Sequence, residues 1–223
     1  PERIVDRLIN MKIDRKIGVD ILGEGEPKIP HPSDDTWNGI SLPWMAFGYG
    51  VSLTPLQQLT FYNAVANNGE MVKPSFINSI GSIGEKPIYQ IDREIIMPSI
   101  SSRETLKSVK KMLLNVVEKP WGTANNIYDK DLKIAGKTGT AQVDYTKDET
   151  QYISSFVGYF PADKPKYSCI VVIHRPNKKL GYYGSTVAAP VFKKIAKKIY
   201  TSTPEEVYLD FNKVRSLSTD LMK

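Results

Sequence analysis

Apolar residues recur at helical spacing near the start, before the middle and near the end of this chain, and at strand spacing in between. From Glu2 to about Met11, Ile4, Val5, Leu8 and Met11 share one helical face. Gly18 and the stretch from Gly23 to Pro32 then break the pattern, so one helix is expected to lead into a long irregular loop. The next helix carries clearer signals. Thr54 stands where a cap belongs, Pro55 at the first helical position, and Gln57 three residues after the cap, where it can reach back. Leu56, Leu59, Tyr62 and Val65 form its apolar stripe, and Asn68-Gly69 supplies a left-handed stop. A third helix is expected from Ser101 or Ser102, with Glu104 placed for a capping box and Leu106, Val109, Leu113 and Val117 buried. The residues between these two helices read as turns and short strands.

After Pro120 the period changes. Lys133 to Val143, Tyr152 to Phe160 and Tyr167 to His174 are rich in β-branched and aromatic residues and read as three strands. The last two are expected to pair as a hairpin through Pro161 to Lys166, where two prolines suit a turn and not a central strand. The polar segment Asp144 to Gln151 joins the first two. A final helix is expected through Val191, Phe192, Ile195 and Ile199, followed from Thr201 by a polar tail of weak periodicity. No internal repeat is visible.

Composition narrows the class. With 41% hydrophobic and 24% charged residues over 223 positions, the chain is globular in type. Its longest apolar run, Cys169 to Ile173, is far short of the ~20 residues that cross a bilayer. The sequence opens at Pro1 without an initiator methionine, so any membrane anchor is expected to precede it. The net charge of +6 falls largely on positions such as Lys193, Lys194, Lys197 and Lys198, where an amphipathic helix has its wet face. A solvated face is the plainer reading, and an anionic membrane surface or wall polymer is the alternative. No basic and aromatic stripe argues for nucleic acid. Cys169, the sole cysteine, reads as a small buried hydrophobe, and His31 and His174 lie far apart without other ligands. Neither a disulfide nor a metal site is indicated, and no cofactor is implied.

One motif carries chemistry. Lys137-Thr138-Gly139-Thr140 lies within Ile134-Ala-Gly-Lys-Thr-Gly-Thr-Ala-Gln-Val143, on the first of the three strands. A bare Lys-Thr-Gly arises by chance in roughly one chain in twenty of this length. A phosphate loop fails on spacing, because Asp131 stands where the earlier glycine belongs and a strand follows in place of a helix. A strand that merely contains a lysine and a glycine is the plain alternative.

The company of the motif argues against that alternative. In order, Phe47-Gly-Tyr-Gly-Val-Ser-Leu-Thr-Pro-Leu-Gln57, Ala135-Gly-Lys-Thr-Gly-Thr-Ala-Gln142, Ser155-Phe-Val-Gly-Tyr-Phe-Pro-Ala162 and Val187-Ala-Ala-Pro-Val-Phe192 resemble class B penicillin-binding proteins. Leu42-Pro-Trp-Met-Ala-Phe-Gly-Tyr-Gly50 looks more like the septal, cell-division branch than the elongation branch. The resemblance covers nearly the whole chain. It implies the α/β penicillin-binding/β-lactamase-like transpeptidase fold, an antiparallel sheet flanked by helices. Residues 1–200 would form the C-terminal part of that domain and 201–223 a tail, with two sheet strands expected outside this sequence.

For function, the resemblance implies a serine D,D-transpeptidase that cross-links peptidoglycan stem peptides ending in D-Ala-D-Ala and is a target of β-lactams. Divisome membrane proteins, including a lipid II polymerase, would be partners, and a single N-terminal anchor would hold the catalytic domain on the extracytoplasmic side of the cell membrane. A non-catalytic sensor of β-lactams or peptidoglycan and a D,D-carboxypeptidase remain alternatives. Lys137 suits the substrate's terminal carboxylate, with the hydroxyls of Thr138 and Thr140 beside it, and Gly139 has no side chain to hold a pairing peptide away. By resemblance, the Thr140 N–H is half of the oxyanion hole. Tyr182 and Tyr183 either wall the cleft or simply pack, and Ser185 stands in place of one of the family's paired glycines. The nucleophile is absent from this sequence. Its only Ser-x-x-Lys match, Ser108 to Lys111, falls on the polar side of the third helix, and no Ser-x-Asn triplet occurs, so both motifs are expected to precede Pro1.

Overall fold

The computed structural model describes residues 1–82, 88–143 and 150–202. Local signals place most of the helices. The first, α1 (Glu2–Asn10), buries Val5 completely but leaves Ile4 half exposed, so it leans on a narrower stripe than its spacing predicts. A short α2 (Ser41–Ala46) follows, which six residues without a full apolar period did not announce. In α3 (Pro55–Ala66) the predicted box forms: the Gln57 amide donates to the Thr54 hydroxyl at 3.1 Å, and the Thr54 amide donates to the Gln57 side chain at 2.7 Å. Past its end, Asn68 and Gly69 take φ of 56° and 98°, the left-handed stop that asparagine tolerates and glycine adopts without penalty.

Two small antiparallel pairs lie between the larger elements, β1 (Met71–Val72) with β4 (Ile95–Met97) and β2 (Ser79–Ile80) with β3 (Tyr89–Gln90). The next helix, α4 (Arg103–Glu118), is capped by Ser102, whose hydroxyl accepts the Thr105 amide at 3.2 Å. The box expected with Glu104 does not form, because capping at Ser102 makes Thr105 the residue that faces the cap. Leu106, Leu113 and Val117 are buried as expected, and Val109 is half-buried.

The main sheet has the order β5 (Ala135–Val143), β6 (Gln151–Phe160), β7 (Tyr167–His174), antiparallel throughout, so the expected hairpin forms through residues 161–166. Strand alternation sends neighbouring residues to opposite layers. Ile134 packs with Phe156, Phe160 and Phe192 under α6 (Ala189–Ser202), whereas Ala135 packs with Tyr159 under α3 and α4. The sheet therefore has helices on both faces. Gly136 lies opposite Gly158, and a β-carbon on Gly136 would stand 2.7 Å from the Phe156 ring, so this glycine lets the ring lie against the strands.

The final helix turns only part of its predicted stripe inward, Phe192 and Ile199 packing against the core while Val191 and Ile195 face out. Val191 and Ile195 are 40% and 37% exposed, while Ala189, Phe192 and Ala196 are buried. Alanines allow α6 close to the sheet, and Phe192 then fills the space between, its ring 4.8 Å from Phe156 and 5.8 Å from Phe160. Cys169 on β7 is only half-buried, enough to push its thiol pKa up. The tail from 203 and most of the segment expected to join β5 and β6, residues 144–149, lie outside the described residues.

Candidate active site

Among the described residues β5 pairs on one side only, with β6. In an antiparallel pair each residue points its N–H and C=O to the same side, and successive residues alternate. The Arg175 amide donates to the Tyr152 carbonyl at 2.9 Å, so the even-numbered residues of β6 face β7 and the odd-numbered ones face β5. The register of Gly139 against Ser155 then assigns the odd-numbered residues of β5 to the ladder. The amides and carbonyls of Thr138, Thr140 and Gln142 consequently point over the free edge. Two contacts fit this assignment: the Gln142 amide donates to the Tyr49 hydroxyl at 3.2 Å, and the Lys137 ammonium donates to the Thr138 carbonyl at 2.9 Å. The Thr140 N–H lies in the open stretch between them.

Along that stretch the motif residues gather. Lys137 is exposed, and its ammonium also lies 3.4 Å from the Thr138 hydroxyl, which is 3.3 Å from the Thr123 hydroxyl. Thr140 is engaged differently from its neighbour. Its hydroxyl oxygen accepts the Gly184 amide at 3.0 Å, leaving the hydroxyl proton available to donate. Gly139 has a second role besides clearing the edge, because a β-carbon there would stand 2.5 Å from the Ser155 hydroxyl.

A turn lies directly on these strands. Gly184 opens the short helix α5 (Gly184–Val187), is buried, and would carry a β-carbon 2.5 Å from the Gly139 carbonyl. The preceding Tyr182 carbonyl accepts the Ser154 hydroxyl, and the Ser185 carbonyl accepts the Asn126 side-chain amide at 2.8 Å. Tyr182 stacks on Tyr152 with ring centroids 4.2 Å apart, and Tyr183 lies 4.4 Å from Tyr182 with the two hydroxyls 3.2 Å apart. Lys137, Thr138 and Thr140 thus share one strand edge, and the tyrosine turn is fastened to that strand through Gly184.

Two residues of this neighbourhood were not singled out from sequence. Tyr49 closes the far end of the free edge, held between Gly48 and Gly50 at φ of 90° and 74° and edge-on to Trp44 at 5.5 Å. Its glycine-flanked position was the signal available. Tyr152 completes the aromatic stack, and nothing in its local sequence separates it from an ordinary strand tyrosine. Ser108 is exposed on α4. Among the described residues no group of three or more His, Cys, Asp or Glu side chains is placed to hold a metal, and no helix is long and apolar enough to cross a membrane.

Most of the chain is similar to known proteins. The penicillin binding protein transpeptidase domain matches residues 1–197. Stage V sporulation protein D of Bacillus subtilis is 31% identical over 88% of this chain and 30% of its own length. The peptidoglycan D,D-transpeptidase FtsI of Buchnera aphidicola is 29% identical over 88% of this chain and 33% of its own. Among solved structures, penicillin binding protein 3 from Mycobacterium tuberculosis complexed with ampicillin superposes with a TM-score of 0.74 at 28% identity, over 93% of this chain and 48% of that one. This chain spans about a third of the length of the curated relatives it matches. The matched domain, the related sequences and the superposable fold lead to one conclusion: the chain belongs to the penicillin-binding protein transpeptidase domain family, among its class B members.

Proposed function

We propose that this chain supplies the substrate strand of a serine D,D-transpeptidase that cross-links peptidoglycan. The observation that carries the reading is the free edge of β5, where the Lys137 ammonium stands beside the outward-facing backbone groups of Thr138 and Thr140. A stem peptide ending in D-Ala-D-Ala would pair along this edge as an added strand, with its terminal carboxylate at Lys137 and the Thr138 and Thr140 hydroxyls. Tyr182 and Tyr183 would wall the cleft on the side of α5.

The attacking serine would come from a Ser-x-x-Lys segment outside this sequence. Its oxygen adds to the carbonyl between the two D-alanines, and the developing oxyanion is held by the Thr140 N–H and the serine's own amide. The amide bond then breaks, D-alanine leaves with a proton, and the acyl group remains on the serine as an ester. An amine of a neighbouring stem attacks that ester, forming the cross-link and returning the serine. A β-lactam would enter the same route and stop at the acyl stage, a reading supported by relatives solved with ampicillin and with aztreonam. The septal branch, the divisome partners including a lipid II polymerase, and a single N-terminal membrane anchor belong to this proposal, as does the division into a domain over 1–200 and a tail over 201–223.

The test uses the intact protein, with a stem peptide ending in D-Ala-D-Ala, an amine acceptor and mass spectrometry. A cross-linked product with released D-alanine is the expected result. Release of D-alanine without cross-linking would make the protein a carboxypeptidase, and a stable acyl adduct with no turnover would make it a sensor. This chain expressed alone should stay unlabelled by a fluorescent penicillin, because Ser108, its only Ser-x-x-Lys match, is exposed on α4. Covalent labelling of any of its serines would overturn the assignment of the nucleophile to another segment.

A further inference from the structure

Away from the β5 edge, a groove of about 540 Å³ opens between the C-terminal end of α3, α4 and the β6–β7 turn, and Arg93, Lys110, Lys164 and Lys166 line it. A second groove of about 480 Å³ shares Lys110 and adds Arg103 and Lys107. Lys110 stands between the two. Carboxylates are few here: Glu70 is paired with Arg93, and Asp163 lies 3.9 Å from Lys133. Among the described residues, Arg103, Lys107, Lys110, Lys164 and Lys166 form no ion pair. Unpaired cations also occur elsewhere on the described surface, Lys111, Lys130, Lys194 and Lys198 among them; what sets these five apart is that they line two adjoining grooves.

Lys110 is held by neutral oxygens alone. Its ammonium donates to the Ala66 carbonyl at 2.9 Å and to the Asn68 side-chain oxygen at 2.8 Å, so one of its three N–H donors is left for a ligand. Partial burial pushes its pKa down, a penalty that a bound anion would offset. The negative end of α3 accounts for Lys110 lying there, but not for the gathering of Arg103, Lys107, Lys164 and Lys166 along the two grooves that share it.

We propose that the two grooves together bind a phosphate-bearing anion of more than one charge, such as a pyrophosphate or phosphodiester group. A single carboxylate would neutralise one cation of the cluster and leave the rest repelling one another. The several oxygens of a phosphate group accept from more than one lysine at once, and two linked phosphates can bridge the shared wall at Lys110.

The site lies apart from the proposed transpeptidase edge, so its test is independent of that reading. The intact protein is titrated with inorganic pyrophosphate by calorimetry at low ionic strength, and is sedimented with phosphatidylglycerol vesicles against phosphatidylcholine vesicles. The double variant Lys107→Ala/Lys166→Ala should weaken binding by about tenfold or more, because charge-assisted contacts are lost, while penicillin acylation stays at its native rate. Saturable pyrophosphate binding that the variant loses supports the site with a soluble phosphate ligand. Selective sedimentation with the anionic vesicles, lost in the variant, supports it with a lipid headgroup. Absence of both, or equal binding by the variant, overturns it.

Discussion

At the scale of single residues, Lys137 and Thr140 would act in the proposed site through different atoms. Lys137 reaches the edge with its ammonium, so Lys137→Ala should remove a charge-assisted contact of about 1.5–3 kcal/mol and slow acylation of the intact protein by ~10- to 150-fold. The measurement is the rate of labelling by a fluorescent penicillin, and a native rate in the folded variant would take Lys137 out of the site. Thr140 has two separable roles, an outward backbone N–H and a side-chain oxygen that accepts the Gly184 amide. Thr140→Ser keeps both and should retain most activity. Thr140→Val leaves the buried Gly184 amide without an acceptor and should cost about 1–3 kcal/mol in urea unfolding, whereas its N–H stays in place. Equal stability of the valine and serine variants would show that the bond to Gly184 carries no weight.

At the scale of elements, the site depends on a turn pressed against two strands. Gly184 rests on the backbone of Gly139 and Ser155, which cannot swing aside as a flexible side chain can. Gly184→Ala should therefore cost about 1–3 kcal/mol of stability and shift α5 with its tyrosine pair away from β5. Thermal unfolding reads the first effect. The affinity for penicillin before acylation reads the second, and an alanine variant native in both would contradict the contact. The fixed stack of Tyr152, Tyr182 and Tyr183 belongs to this same unit, which explains why its geometry is invisible in the short sequence around each tyrosine.

At the scale of the whole molecule, one ion cluster ties the segment before β5 to the last helix. Asp129 lies 2.6 Å from Lys197 and 3.4 Å from Lys193, and Lys193 also donates to the Tyr128 carbonyl at 2.8 Å. The hydrogen bond from Lys197 is the main cause that holds the Asp129 pKa down to about 2, with the Asp131 amide and the charges of both lysines adding to it. A carboxyl whose pKa is lower folded than unfolded stabilises the fold above its unfolded value, near 3.8, and loses that stabilisation as pH falls through about 2. Asp129→Asn should thus destabilise the protein by about 1–2 kcal/mol at neutral pH, the exposed lysine head groups screening part of the pair. The difference from wild type should shrink below pH 4 and vanish only below about pH 2. A difference independent of pH would mean that the asparagine acts through packing.

What the sequence determined by itself was set by neighbours along the chain. The Thr54 cap with Pro55 and Gln57, the stop at Asn68-Gly69 and the three β-branched runs rest on interactions within a few residues, so periodicity and capping chemistry were enough to find them. The four ordered motifs made the family legible for a related reason, since each occupies a contiguous stretch. Tertiary structure decided the rest. Which backbone groups of β5 face outward follows from the register against β6, and a shift of one residue would have turned the Thr140 amide into the ladder. Tyr49 and Gly184 join the site across 93 and 44 residues of sequence, through bonds to Gln142 and Thr140 that no local pattern encodes. The buried face of α6 was likewise settled by how closely alanines let it approach the sheet, a property of two surfaces in contact and not of one helix.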